Sequence, residues 1–224
     1  MSALIHVINP NSSTSVTDGI ARAVGAPGPS DARVNFVCAT LAEAPPGIVT
    51  QGDADLAATL VAAYVRAHAH EADGFIIGCY SDPGLFAARE LTDKPVTGIG
   101  EACLKHAASI SDNVGVVAVS SPGIARHWRM YRMLGLAHTI CGERAIDLAV
   151  ADSGDEQKAL GRLIDVAGAL RDLDGAKAIV LGCAGMADLR GKVENAVGIP
   201  VLDPCGVAAD AMRTLFADAP PSPR

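Results

Sequence analysis

Phe75-Ile76-Ile77-Gly78-Cys79-Tyr80-Ser81-Asp82-Pro83-Gly84 is the stretch on which the reading of this chain turns. A short apolar run of this kind reads as a strand buried on both faces, the type found inside parallel sheets. It stops at Gly78-Cys79, and Asp82-Pro83 then reads as the N-cap and first residue of a helix. The pattern returns as Ala178-Ile179-Val180-Leu181-Gly182-Cys183-Ala184-Gly185-Met186. Each copy leads through a helix to a Pro-Val strand start, Pro95-Val96 and Pro200-Val201. Two equivalent strand ends, each offering a thiol, predict a pseudo-symmetric molecule with one sulfur on either side of a shared cleft.

Working outward, residues 4–8 read as a strand, followed by the polar turn Asn9-Pro10-Asn11-Ser12-Ser13 and a helix to about Val24. A Gly/Pro loop from Gly25 precedes a strand over 33–38, and Pro45-Pro46-Gly47 marks another loop. Leu56, Leu60 and Tyr64 recur every fourth residue, predicting an amphipathic helix over 53–69. A helix over 82–91, a strand over 95–99 and a helix over 101–109 close the first series. The second opens with a strand over 114–119, the turn Ser120-Ser121-Pro122-Gly123 and a helix to Met133. A strand over 136–141 follows, then helix 156–170, strand 178–181, helix 186–197 closed by Gly198, strand 201–202 and helix 207–216. The Pro-rich tail over 218–224 reads as frayed.

Strand and helix in alternation predict an α/β fold with mostly parallel sheets flanked by helices. We expect two pseudo-symmetric lobes, residues 1–97 plus 204–224 and residues 98–203, with the active site in the cleft between them. Ligands in such sheets bind beyond the carboxyl ends of the strands. Four polar turns occupy those ends: 9–13, 80–82, 120–121 and 184–185.

Composition excludes several classes. Aromatic residues make up 4% of the chain and the net charge is −7, which argues against nucleic acid as a partner. No run of 18 apolar residues is present, so no membrane span is expected. Met1-Ser2-Ala3-Leu4 lacks the basic start of a signal peptide, and the six cysteines show no C-x-x-C pattern. Reduced thiols in a cytoplasmic protein are the expectation.

A cysteine at a strand end, just before a helix, sits near free backbone N–H groups and the positive end of a helix dipole. That placement is expected to lower its pKa from about 8.5 and yield a usable base or nucleophile. The N–H groups of Tyr80, Ser81, Ala184 and Gly185 are then candidates to stabilise an oxyanion. Cys38, Cys103, Cys141 and Cys205 have no such echo and read as small core residues. His68 and His70, two apart on a helix, point to different faces, so no metal pair is expected there. Arg126-His127-Trp128-Arg129 reads as a solvated helix face with one buried ring.

The motifs 8–13, Gly78-Cys79 with Asp82-Pro83-Gly84-Leu85, 87–91, 98–102 and 182–186 resemble those of hydantoin and allantoin racemases, members of the aspartate/glutamate racemase superfamily. The resemblance covers nearly the whole chain in order. It implies a cofactor-free, metal-free two-base racemase in which Cys79 and Cys183 are the acid/base pair. It also implies substrate contacts from Asn11, Tyr80, Ser81, Ser120, Ser121, Ala184 and Gly185, and a small cyclic ureide as substrate. The expected state is a homo-oligomer. Tyr80-Ser81 stand where hydantoin-type enzymes carry Phe and Gly, and Gly185 stands where glutamate racemases carry histidine. Asn9 and Asn11 likewise replace an acidic residue of the amino-acid racemases. A neutral ring whose C5 enolate is delocalised into an imide suits such an uncharged set of groups.

Three other readings stay open at this point. One is a racemase or isomerase of an acyclic carbon acid, such as an amino acid or a maleate-like diacid. A bilobal small-molecule binder is the second, and the third is a dithiol redox protein bridging Cys79 and Cys183, which needs Cα atoms within about 7 Å.

Overall fold

The structure, a computed structural model, describes residues 2–25 and 34–217. The loop expected after Gly25, the start of the second strand at Arg33 and the tail from 218 lie outside the described residues. Two four-stranded parallel sheets share one topology. In the first, β2 (Val34–Thr40), β1 (Ala3–Asn9), β3 (Gly74–Ile77) and β4 (Val96–Gly98) lie in that order. In the second the order is β6 (Ile140–Ala145), β5 (Val114–Ala118), β7 (Ala178–Gly182) and β8 (Val201–Leu202). The central strands β3 and β7 are buried throughout, as their unbroken apolar runs require.

Among the described residues eight α-helices complete the crossovers: α1 (Thr14–Gly25), α2 (Gln51–His68), α3 (Leu85–Glu90), α4 (Ile99–Ile110), α5 (Ile124–Met133), α6 (Glu156–Asp172), α7 (Arg190–Val197) and α8 (Pro204–Ala217). The fourth helix of each half crosses to the other sheet. Cys103, Leu104 and Ala107 of α4 join a core with Val114 and Val116 of β5 and Val180 of β7. Cys205, Ala208, Ala209 and Met212 of α8 join Ile5 and Val7 of β1 and Val16 and Ile20 of α1. Burying a side chain such as Leu104 or Met212 stabilises by about 1.5–3 kcal/mol, so the exchange ties the halves together. None of the described helices is long and apolar enough to cross a membrane.

Several sequence expectations need correction. The buried face of α2 is Ala54, Ala57, Val61 and Val65, while Leu56 is 48% exposed. Small residues win because α2 packs close: the Ala58 carbonyl lies 2.8 Å from where a Cβ on Gly84 would sit. The helix begins at Gln51, capped by Thr50 with Asp53 in a capping box. Residues 137–139 form a 3-10 turn, so β6 starts at Ile140, later than expected. Residues 184–189 are likewise 3-10, and α7 proper starts at Arg190.

The expected helix over 82–91 starts only at Leu85, because Asp82 (φ 47°) and Gly84 (φ 79°) are both left-handed. Asp82 caps a different helix. Its Oδ1 accepts from the Gly100 N–H at 2.9 Å and its Oδ2 from the Glu101 N–H at 2.6 Å, in the first turn of α4. That helix opens on Gly98, which has no side chain to cap it, so the carboxylate arrives from the cysteine turn.

Candidate active site

Parallel register sets the equivalent turns beside each other. Ile8 pairs with Ile77 and Ala118 with Gly182, so the turns after β1 and β3, and after β5 and β7, leave the sheets as neighbours. They meet in one cleft lined by Asn11, Cys79, Tyr80, Ser81, Ser120, Cys183 and Ala184, with Ile48, Val119, Arg126, His127 and Val150 among the walls. Both sulfurs are free thiols and face this one space.

Each sulfur has the same two kinds of neighbour, a serine hydroxyl and a backbone N–H. Cys79 Sγ lies 3.5 Å from Ser81 Oγ and accepts from the Ser81 N–H. Cys183 Sγ lies 3.6 Å from Ser153 Oγ and accepts from the Gly185 N–H. The second serine comes from a different loop, after β6, and its hydroxyl also donates to the Val150 carbonyl at 2.7 Å. Gly185 makes room for it, since a Cβ there would fall 2.3 Å from Ser153 Oγ. Ser153 was not legible as a site residue; the only signal was a glycine in the second copy where the first has serine.

The thiol chemistry differs from the sequence expectation. Neither cysteine sits directly on an α-helix N-terminus, and burial dominates. It pushes Cys79 up to about 11, partly offset by the Ser81 hydroxyl and N–H. Cys183 is also pushed up by burial, against the Ser153 hydroxyl and Gly185 N–H.

The remaining expected contacts divide. The Asn11 amide oxygen is used by Ser13 N–H at 2.9 Å and Asn9 Nδ2 at 3.1 Å, which leaves its amide nitrogen without a partner among the described residues. Ser120 and Ala184 line the cleft. The Tyr80 side chain turns inward: its hydroxyl meets the Tyr131 hydroxyl at 3.2 Å and its ring stands edge-on to His127. Ser121 is not in the cleft; its N–H and hydroxyl both donate to Asp147 at 2.8 Å. Gly185 is spent on Cys183 and Ser153 rather than lining the space. Among the four N–H groups expected to face an oxyanion, those of Ser81 and Gly185 are therefore taken by the sulfurs.

Arg126, expected to be solvated, is a wall of the cleft. Its terminal nitrogens donate to the backbone carbonyls of Val49 at 3.1 Å and Ile48 at 3.4 Å, and its Nε is buried with no partner among the described residues. Its charge pulls the Cys79 thiol down, against burial. His127 is the buried ring of that helix, with Nδ1 2.6 Å from Glu143 Oε1. Beneath the cysteine turn, Cβ atoms on Gly98 and Gly100 would lie 2.2 Å from the Asp82 carboxyl carbon and 1.9 Å from the Tyr80 carbonyl oxygen. Those two glycines let α4 support the turn. A second cavity of about 400 Å³ adjoins the cleft at Ser81 and Arg126, and is lined by Leu85, Phe86, Met130, Met133 and Leu134 among others.

Comparison with known proteins gives the same architecture a family. The family model described as Asp/Glu/Hydantoin racemase matches residues 5–212. The chain belongs to that family. It is 32% identical to hydantoin racemase of Paenarthrobacter aurescens over 95% of this chain and 91% of the relative. It is 36% identical to hydantoin racemase of Rhizobium meliloti over 92% of this chain and 84% of the relative. Among solved structures, an allantoin racemase from Klebsiella pneumoniae superposes with a TM-score of 0.88 at 30% identity, covering 96% of this chain and 88% of that one.

Proposed function

We propose that this protein is a cofactor-independent racemase of 5-substituted hydantoins, using Cys79 and Cys183 as a two-base pair at C5. The observation that carries the reading is the pairing itself: two thiols at equivalent strand ends in one cleft, each with its own serine hydroxyl and backbone N–H. One sulfur as thiolate removes the C5 proton; the other, as thiol, returns a proton to the opposite face. The unpartnered Asn11 amide and Arg126 Nε offer donors for the ring carbonyls and the developing enolate oxygen. Among the described residues lining the cleft none is Asp or Glu, so no carboxylate there would pair with an amino acid's ammonium group. That favours a neutral ureide over aspartate or glutamate.

The apolar wall of the adjoining cavity favours a bulky apolar C5 substituent over the ureido group of allantoin. In a circular dichroism assay on single enantiomers, 5-benzylhydantoin should lose its signal at a kcat/KM roughly tenfold or more above that for allantoin, the scale of a well-filled apolar pocket. Aspartate and glutamate should stay unchanged. Racemisation of glutamate with no action on any hydantoin would overturn the reading. EDTA should leave the rate as it is.

The raised thiols set a pH dependence. Burial holds both sulfurs in the thiol form near neutrality, so the mixed thiol/thiolate state grows as pH rises. We expect kcat/KM to climb across about pH 6 to pH 9 and to fall only once both sulfurs are thiolates, with Cys79 pushed up to about 11. Arg126→Met removes a charge that favours the Cys79 thiolate and should move the limb governed by Cys79 to higher pH, leaving the limb governed by Cys183 in place. A profile flat across that range, or one falling above neutrality, would count against the pair.

A further inference from the structure

We propose that His6, His68 and Glu71 form a zinc-binding site at the far end of α2 from the cysteine cleft. Their ligand atoms all lie within 4.8 Å of one another. Tetrahedral zinc, with bonds of about 2.0–2.2 Å, sets its ligand atoms roughly 3.4 Å apart, so a shift of about an ångström closes the set. Two imidazoles and a carboxylate are a borderline donor set that suits zinc rather than calcium or magnesium.

The scaffold is fixed on three sides. His6 lies inside β1 between Ile5 and Val7, paired to Val37 and Phe75 on the flanking strands, and is 6% exposed. His68 is the last residue of α2, and the turn carrying Glu71 is tied back by N–H bonds from Glu71 and Ala72 to the His68 carbonyl. The negative end of the α2 dipole favours a cation there. The Tyr64 hydroxyl holds His6 Nδ1 at 3.0 Å, an outer partner of the kind that orients a metal-ligating ring. His68 and Glu71 are accessible to solvent, leaving an entry path and a position for water.

The site is separate from the reaction. Gln51, at the start of this 18-residue helix, borders the cavity beside the cleft, so His68 lies about 26 Å further along the axis. Zinc there would clamp α2 to β1 and act on stability.

The test uses EDTA-dialysed full-length protein with its thiols first blocked by iodoacetamide, because the paired cysteines are a competing site. One equivalent of Zn²⁺ should bind in a calorimetric titration. The melting temperature should rise by roughly 5–10 °C at free zinc a hundredfold above Kd. His68→Gln and Glu71→Gln replace accessible side chains, and both variants should fold and lose the shift. Co²⁺ should give the visible bands of nitrogen and oxygen ligation without a sulfur charge-transfer band. Failure to bind micromolar zinc, binding only when the thiols are free, or binding retained in both variants would overturn the site. None of these readouts depends on racemase activity.

Discussion

Under the proposed function, Cys79→Ala should racemise neither enantiomer of a hydantoin, yet still exchange the C5 proton of one of them for solvent deuterium. In the proposed mechanism each sulfur would face one side of a planar enolate and take the proton from one enantiomer only. With Cys79 gone, Cys183 can deprotonate its own enantiomer and hand a deuteron back to the same face. Cys183→Ala should exchange the opposite enantiomer. A positioned acid or base contributes typically 10²–10⁴ in rate, so racemisation should fall by at least that factor. Proton NMR in D₂O, on each enantiomer with each variant, measures this against the enzyme-free exchange rate. Exchange of both enantiomers by either variant, or surviving racemisation, would refute the paired mechanism. A non-catalytic binder would show no exchange with any form of the protein.

Gly100→Ala should be the most damaging single methyl group in the described chain. The new Cβ would lie 1.9 Å from the Tyr80 carbonyl oxygen and 3.1 Å from Asp82 Oδ2, and the first of these is backbone. Either α4 or the cysteine turn must move, which strains the two N–H bonds that Asp82 accepts. We expect a loss of about 3 kcal/mol or more, a fall of roughly 6–12 °C in melting temperature for a chain of this size. Displacing Cys79 by even an ångström should also cost about 10²-fold in rate. Gly161→Ala is the matched control. It lies in the interior of α6 with nothing within 4 Å of its Cβ, and should stabilise by about 0.5–1 kcal/mol. Equal melting temperatures for the two variants would show that α4 does not buttress the turn.

What was legible in the sequence was local and repeated. The doubled Gly-Cys strand ends predict two parallel sheets, because an apolar run, a small residue and a polar turn follow one another within about ten positions. What was missed depends on distant neighbours. Ser153 reaches Cys183 from 30 positions away, and Arg126 reaches the Val49 carbonyl across 77. No periodicity encodes such contacts. Asp82 was misassigned for the same reason: an Asp-Pro pair is a helix-start signal, but the left-handed φ at 82 turns the carboxylate to α4, which the chain reaches only later. Leu56, Leu60 and Tyr64 misled because α2 carries two apolar stripes, and the alanine-rich one allows the closer approach.

The surroundings of the two sulfurs are alike but not identical. Cys79 has Arg126 beside it and a serine from its own turn; Cys183 borrows a serine from another loop. For a substrate whose only stereocentre is C5, the two enantiomers have equal free energy in water, so the overall equilibrium constant is one. The Haldane relation then fixes kcat/KM as equal in the two directions, whatever the protein does. The asymmetry can appear only as compensating differences in kcat and KM separately: the enantiomer held more tightly must turn over more slowly in the same ratio. Substitution at Arg126 can change how unevenly those parameters are split, and can slow both directions together, but it cannot make the catalyst favour one hand.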